Sequence, residues 1–354
     1  MNKLLDKILK NSPTKYAAVL SDSPSFNTKD KIPTEIPIIN AAFSGEIDGG
    51  ITSGLTIFAG PQASFKTMIS LVCVKAYLNK YPEAVCVLYD SEGGITPEYL
   101  RSNGVDPSRV VHIPIEHLEM LKFDIVKQLK ELERGDKVIF MIDSIGNTAS
   151  LKELQDALDE KTVAEMQRAK VIKGLFRMVT PSLVNKDIPC IAICHTYSTM
   201  ELYSRQIISG GSGLLYSANQ AFIIGKAQEK DGSDLVGWNF TLNVDKSRFV
   251  RQKSKFAFRV LYETGIQKYS GLLDIALEGQ FVIKPVNGKY SRVNEDGEVE
   301  DKRWREKETD SSDFWEPIIS RKDFHNFVSK KFKVSNDYET FDNDELTIYN
   351  EDEE

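Results

Sequence analysis

No apolar run in this chain approaches the roughly 20 residues that span a bilayer, so a transmembrane segment is not expected. The N-terminal residues also lack the apolar core of a secretory leader, and an intracellular protein is expected. Cysteine is scarce. Cys73, Cys86, Cys190 and Cys194 form no Cys-x-x-Cys pair and fall in apolar stretches, which disfavours disulfide and zinc frameworks and suits a reducing compartment. Net basic charge is missing too, since 52 acidic residues outnumber 45 basic ones. That deficit is local, however. From Val334 onward there are nine acidic residues and no Lys or Arg, and without them 45 basic face 43 acidic residues, a net +2. Such a tail is either a solvated appendage or a mobile competitor for a DNA-binding surface. No internal repeat is visible, and 354 residues suit one large core with appendages, or two domains.

What is present centres on Gly60-Pro61-Gln62-Ala63-Ser64-Phe65-Lys66-Thr67. It follows an apolar strand pattern, Leu55–Ala59, and leads into an apolar helix pattern, Met68–Leu78. Strand, tight loop and a helix opening on Lys-Thr form the context of a phosphate-binding loop. Main-chain N–H groups and the positive helix end cradle phosphate oxygens there. Lys66 suits the β- and γ-phosphates, and the Thr67 hydroxyl suits Mg²⁺. Phe65 stands where a second glycine is usual, so its backbone is expected to keep to a region open to residues carrying a Cβ.

Strand and helix then alternate: Ala84–Tyr89, a helix near Pro97–Arg101, Val110–Ile113, a helix around Leu118–Arg134, and Val138–Ile142. Strands that are apolar throughout imply a parallel sheet covered on both faces. A helix over Thr162–Val179 places Met166, Ala169, Ile172, Leu175, Phe176 and Val179 on one face, and the strand Pro189–Cys194 follows. The stretch from His195 to Gly213 reads as a long irregular polar loop, of a kind that is functional or disordered. Strands at Gln220–Gly225, Trp238–Val244 and Phe256–Tyr262 are expected to extend the sheet with antiparallel members. The segment 1–30 is too small for its own core, so it either packs on the body or docks on a neighbouring subunit as an oligomerisation segment, with Phe26 the candidate anchor. A nucleotide-binding (ATPase) core 31–280, a charged C-terminal region 281–333 and a disordered acidic tail 334–354 follow.

Several carboxylates and cations fall at strand ends, where ligands bind in doubly wound sheets. Asp143 is placed to hold Mg²⁺ opposite the phosphate loop, or merely to cap a turn. Glu92 suits the general base that orders and deprotonates the water attacking the γ-phosphate, or else a solvated surface acid; Asp90 is its rival with a shorter reach. His195 suits a γ-phosphate sensor or a local hydrogen bond. Lys246 and Arg248, at strand spacing, read as a solvated edge or as cations offsetting transition-state charge.

Together these motifs, in this order, resemble the RecA-type strand-exchange recombinases, and within them the phage T4 type. The similarity covers residues 30–285 well, the N-terminal segment plausibly and the C-terminal region more loosely. It implies a RecA-like P-loop ATPase with a mostly parallel twisted sheet flanked by helices, using ATP and Mg²⁺. It implies a homo-oligomeric helical filament on single-stranded DNA that pairs with double-stranded DNA and exchanges strands in recombination, repair and replication. A recombination mediator, a single-strand-binding protein and a helicase are the implied partners, in the cytoplasm of an infected bacterium. By position, Glu92 is similar to the family's catalytic glutamate, Thr67 with Asp143 to its Mg²⁺ pair, and His195 to its sensor. Tyr99, after Thr96-Pro97, matches an adenine-stacking aromatic; Lys246 and Arg248 match a pair reaching a neighbour's ATP. Residues 147–165 and 196–213 resemble two DNA-binding loops, with Arg168, Arg205, Gly210 and Gly211 as backbone contacts and Met200 as a wedge between bases. Two departures stand out: His replaces the usual Gln at the sensor, and Arg205 is the second loop's single cation. A RecA-fold hexameric helicase or other motor shares these features, as does a non-catalytic nucleotide-binding mediator.

Overall fold

A computed structural model describes residues 2–23, 30–159, 166–198 and 206–334. After helix α1 (Lys3–Asn11) and the buried helix α2 (Pro37–Ser44), the chain enters strand β1 (Gly54–Gly60) and helix α3 (Lys66–Lys80). Strand β2 (Val85–Asp90), helix α4 (Pro97–Ser102), strand β3 (Val110–Pro114), helix α5 (Leu118–Glu131) and strand β4 (Val138–Asp143) follow. Helices α6 (Leu151–Leu158) and α7 (Met166–Asn185) precede strands β5 (Pro189–Ser198) and β6 (Gln206–Ile208) and helix α8 (Ser212–Ser217). Strands β7 (Gln220–Asp231), β8 (Asp234–Ser247), β9 (Lys255–Leu261) and β10 (Gly265–Ile266) complete the large sheet. Its order is β10-β9-β8-β7-β1-β5-β4-β2-β3, with β6 paired to β5.

The strands from β7 to β3 run parallel, and β8, β9 and β10 each run antiparallel to the strand before. The expectation of antiparallel extension therefore holds for β8 and β9 but not for β7, which lies parallel against β1. Alternation divides the core in two. Leu55, Ile57 and Ala59 face α5 and α7, packing with Leu121, Ile125, Ile172 and Phe176. Phe58, from the same strand, faces the layer of α2 and α3. Of the expected face of α7, Ile172, Leu175, Phe176 and Val179 are buried, but Ala169 is exposed.

Past β10, helix α9 (Leu272–Glu278) leads to a three-stranded sheet of β11 (Val282–Val286), β12 (Lys289–Arg292) and β13 (Trp304–Arg305), then helices α10 (Ser312–Ile319) and α11 (Lys322–Phe332). Trp304, Phe314, Trp315, Phe324 and Phe332 join the same apolar cluster as Phe43 and Phe58, so this region packs directly on the α2 side of the large sheet. Arg251 donates its N–H to the Phe332 carbonyl at 2.8 Å, and Val334 donates to Phe249 at 2.9 Å, which stitches the end of α11 to the chain leaving β8.

Candidate nucleotide site

The parallel order brings the C-terminal ends of β1, β2, β4 and β5 to one rim. A cleft of about 320 Å³ opens there, lined by Gln62 to Met68 with Glu92, Tyr99, Asp143, Ile193 and His195. Lys66 opens α3 and is buried; its ammonium donates to the carbonyls of Gly60 (3.1 Å) and Pro61 (2.7 Å). Burial holds its pKa below the usual lysine range, with Asp143 and Glu92 opposing. Ser64 is buried under the loop, while Pro61, Gln62 and Ala63 form its exposed rim.

Phe65 takes φ 70° and ψ 14°, the left-handed region that the usual glycine adopts freely. The expectation that it would keep to a region comfortable for a Cβ is thus corrected. Its ring stacks on Phe240 of β8 at 4.6 Å and lies 5.9 Å from Phe258 of β9, contacts that offset the strain.

Thr67 Oγ1 donates to Asp143 Oδ2 at 2.7 Å, although 76 residues separate them. Burial pushes the Asp143 carboxyl up to about 6, against the lowering effect of the Thr67 hydrogen bond. Asp90 and Glu92 separate by role. Asp90 is buried and caps its own turn, accepting the N–H groups of Glu92 (2.9 Å) and Gly93 (2.8 Å). Glu92 points into the cleft, its carboxylate accepting from Ser144 Oγ (2.7 Å) and Asn147 Nδ2 (2.9 Å).

His195 Nε2 lies 3.6 Å from Glu92 Oε1, past hydrogen-bond length, and this buried nitrogen finds no hydrogen-bond partner among the described residues. Its ring rests against Gly146, where an added Cβ would come within 2.3 Å of His195 Cδ2. Among the described residues, the chain beyond is not the irregular loop expected. β5 continues to Ser198 and pairs antiparallel with β6, and Ser209 donates back to the His195 carbonyl at 2.9 Å. Tyr99 is half-buried at the cleft, and burial raises its pKa; Thr96 caps α4 by accepting the Tyr99 N–H at 3.2 Å.

A hydroxyl paired with a carboxylate, a buried lysine at a helix N-terminus and an unpartnered imidazole nitrogen are the donor set that a magnesium–nucleoside triphosphate requires. The residues present therefore fit that group.

Lys246 and Arg248 are not brought to this cleft. Lys246 is level with Ala221 and Ile57, about 10 Å down the sheet from Gly60 at strand rise. Its ammonium donates to the Leu215 (2.6 Å) and Tyr216 (3.1 Å) carbonyls. Arg248 is exposed one step further down. Tyr216, which sequence reasoning missed and whose carbonyl accepts from Lys246, is 77% exposed, an unusual placement for a large aromatic. Arg168 is spent on the main chain, donating to the carbonyls of Ile145, Gly146 and Thr148 between 2.6 and 3.0 Å. Gly210 and Gly211 adopt φ 106° and 81° just ahead of α8. Met200, Arg205, Phe26 and the acidic residues beyond Val334 lie outside the described residues.

A family model described as the RecA N-terminal domain matches residues 26–267. Another, described as the C-terminal domain of the bacteriophage T4 recombination and repair protein, matches residues 269–328. The chain is 52% identical over 339 residues to the "Recombination and repair protein" of Enterobacteria phage T4, covering 94% of this chain and 87% of that one. It is 27% identical over 240 residues to "Protein RecA" of Streptomyces coelicolor, covering 67% and 62% of the two chains. Against "Protein RecA" of Chlorobaculum tepidum it is 27% identical over 235 residues, covering 65% and 66%.

Proposed function

This chain belongs to the RecA family of recombination and repair proteins, and from that premise we propose that it is an ATP-hydrolysing recombinase. It assembles as a helical filament on single-stranded DNA and exchanges strands with a homologous duplex. The observation that carries the reading is the meeting of Lys66, Thr67, Glu92, Asp143 and His195 around one cleft. Lys66 and the N-terminus of α3 bind the phosphates. Thr67 and Asp143 would hold Mg²⁺, which would supply positive charge against the phosphates. Glu92, fixed by Ser144 and Asn147, orients water in line with the γ-phosphorus and accepts its proton as the bond to the bridging oxygen breaks. Tyr99 offers its ring to the base, completing the site with the loop Gly60–Thr67 and Thr96.

Because Lys246 and Arg248 lie away from their own cleft, they serve the site of an adjacent copy, where their charge offsets that of the transition state. His195 is the link to DNA. It lines the cleft, where its Nε2 would meet the γ-phosphate, and its own carbonyl accepts from Ser209 just past β6. Loss of the phosphate is thereby felt at residues 196–213, the segment read as a DNA-binding loop with Met200, Arg205, Gly210 and Gly211. Arg168 contributes by fixing the carbonyls from which residues 147–165 depart.

Electron microscopy with single-stranded DNA and a non-hydrolysable ATP analogue tests this, with regular helical filaments expected. Lys66→Ala should form none and should not hydrolyse ATP. Normal strand exchange by that variant, or directional duplex unwinding by the wild type without pairing, would refute the reading.

A further inference from the structure

We infer that Asp90, held in place by His112, is the positioning residue for Glu92; the inference rests on the role of Glu92 given above. β2 ends at Asp90 and pairs in parallel with β3, setting Leu88 opposite His112 and Asp90 opposite Pro114. His112 is therefore two residues short of the position facing Asp90, on the same face of the sheet, where a long side chain spans the diagonal. It does so: His112 Nε2 lies 3.0 Å from Asp90 Oδ2. The other oxygen, Oδ1, accepts the main-chain N–H groups of Glu92 and Gly93 at 2.9 and 2.8 Å.

The turn is pinned from both sides as well. Ile115 donates to the Asp90 carbonyl at 2.8 Å, and Ser91 donates its N–H to the Asp143 carbonyl at 2.9 Å. Asp90 is 4% exposed, so little water reaches its carboxylate, and an oxygen left without a donor would carry the full cost of desolvation. With Oδ2 engaged by His112, the carboxylate plane is fixed and Oδ1 stays aimed at the two amides. The Glu92 main chain is thus set by Asp90, while its carboxylate is set by Ser144 and Asn147. His112 stands on the edge strand of the sheet, half exposed, and does not line the cleft. It acts on the reaction only through Asp90.

The test uses the full chain with single-stranded DNA and ATP. His112→Leu should lower kcat about five- to tenfold while KM and the affinity for a fluorescent ATP analogue stay within about twofold, the pattern of a lost transition-state arrangement. His112→Gln retains an N–H donor and should recover at least about half of the wild-type kcat. Asp90→Ala should lose about a hundredfold; if it does not fold, the two His112 variants decide the matter. Adding His112→Leu to Glu92→Gln should cost nothing more. Unchanged kcat in His112→Leu, a failure of His112→Gln to recover, or additive losses in the double variant would overturn the inference. Wild-type hydrolysis by Glu92→Gln would overturn the assignment of Glu92 itself, a separate result.

Discussion

Phe65 offers a quantitative test of how the phosphate loop is held. Its left-handed backbone costs about 1–2 kcal/mol for a residue with a Cβ. Stacking on Phe240 returns about 0.5–1.5 kcal/mol, and burying half of a phenylalanine ring returns about 1 kcal/mol more. Phe65→Ala keeps the strain and loses the ring, so it should destabilise the protein by about 1.5–2.5 kcal/mol. Phe65→Gly also loses the ring but escapes the strain. Glycine's greater freedom in the unfolded chain takes back up to about 1 kcal/mol of that relief. The glycine variant should therefore be about 0.5–1 kcal/mol more stable than the alanine variant, though still below the wild type. Urea unfolding followed by tryptophan fluorescence measures all three proteins. Alanine equal to or above glycine, or both variants equal to the wild type, would refute the account of the loop.

Two further outcomes follow from the cleft. The Asp143 carboxyl is raised to about 6 by burial, so the folded protein binds its proton more tightly than the unfolded chain does, and stability falls as pH rises from about 4 through 6. Asp143→Asn avoids that loss: in chelator it should be about 1–3 kcal/mol more stable than the wild type at pH 7.5, the gap closing toward pH 4, while Mg²⁺-dependent nucleotide binding is lost. Equal urea midpoints at pH 7.5 would contradict this. Gly146→Ala drives a methyl group to 2.3 Å from the His195 ring, which must move; about 1–3 kcal/mol of stability and most DNA stimulation of hydrolysis should go, with nucleotide affinity retained. Full stimulation in that variant would separate His195 from the response to DNA.

Reading by residues reached furthest where chemistry is written locally. The glycine-to-threonine loop, its flanking apolar runs and the strand end at Asp143 are contiguous patterns, and they set Asp143 opposite the loop, though not its direct 2.7 Å hydrogen bond with Thr67. Glu92 outreaches Asp90, and both oxygens of Asp90 are engaged elsewhere, Oδ1 by the amides of its own turn and Oδ2 by His112. What stayed hidden depends on which strands become neighbours. The support for Phe65 comes from β8 and β9, some 180 residues later in the chain, and no local pattern announces that stacking. The hairpin of β5 and β6 is a short pairing across a polar segment, with too few alternating residues to betray a strand. The hold of Arg168 on the main chain, beside the DNA contact the resemblance implies for it, went unseen because its carbonyl partners carry no side-chain signature. His112 lay unnoticed for the same reason: its meaning rests on one diagonal across the β2–β3 pair.

The polarity of the large sheet has a consequence for counting. The phosphate loop leaves one end of β1, whereas Lys246 and Arg248 sit toward the other end, so a lone molecule has no way to fold its own cations over its own cleft. If these cations complete the site of an adjacent copy, as proposed above, a row of n copies holds n − 1 finished sites and ends in one that is idle. Turnover per molecule would then climb with the length of the row, steeply for short rows and flattening for long ones, even when every molecule in it is identical.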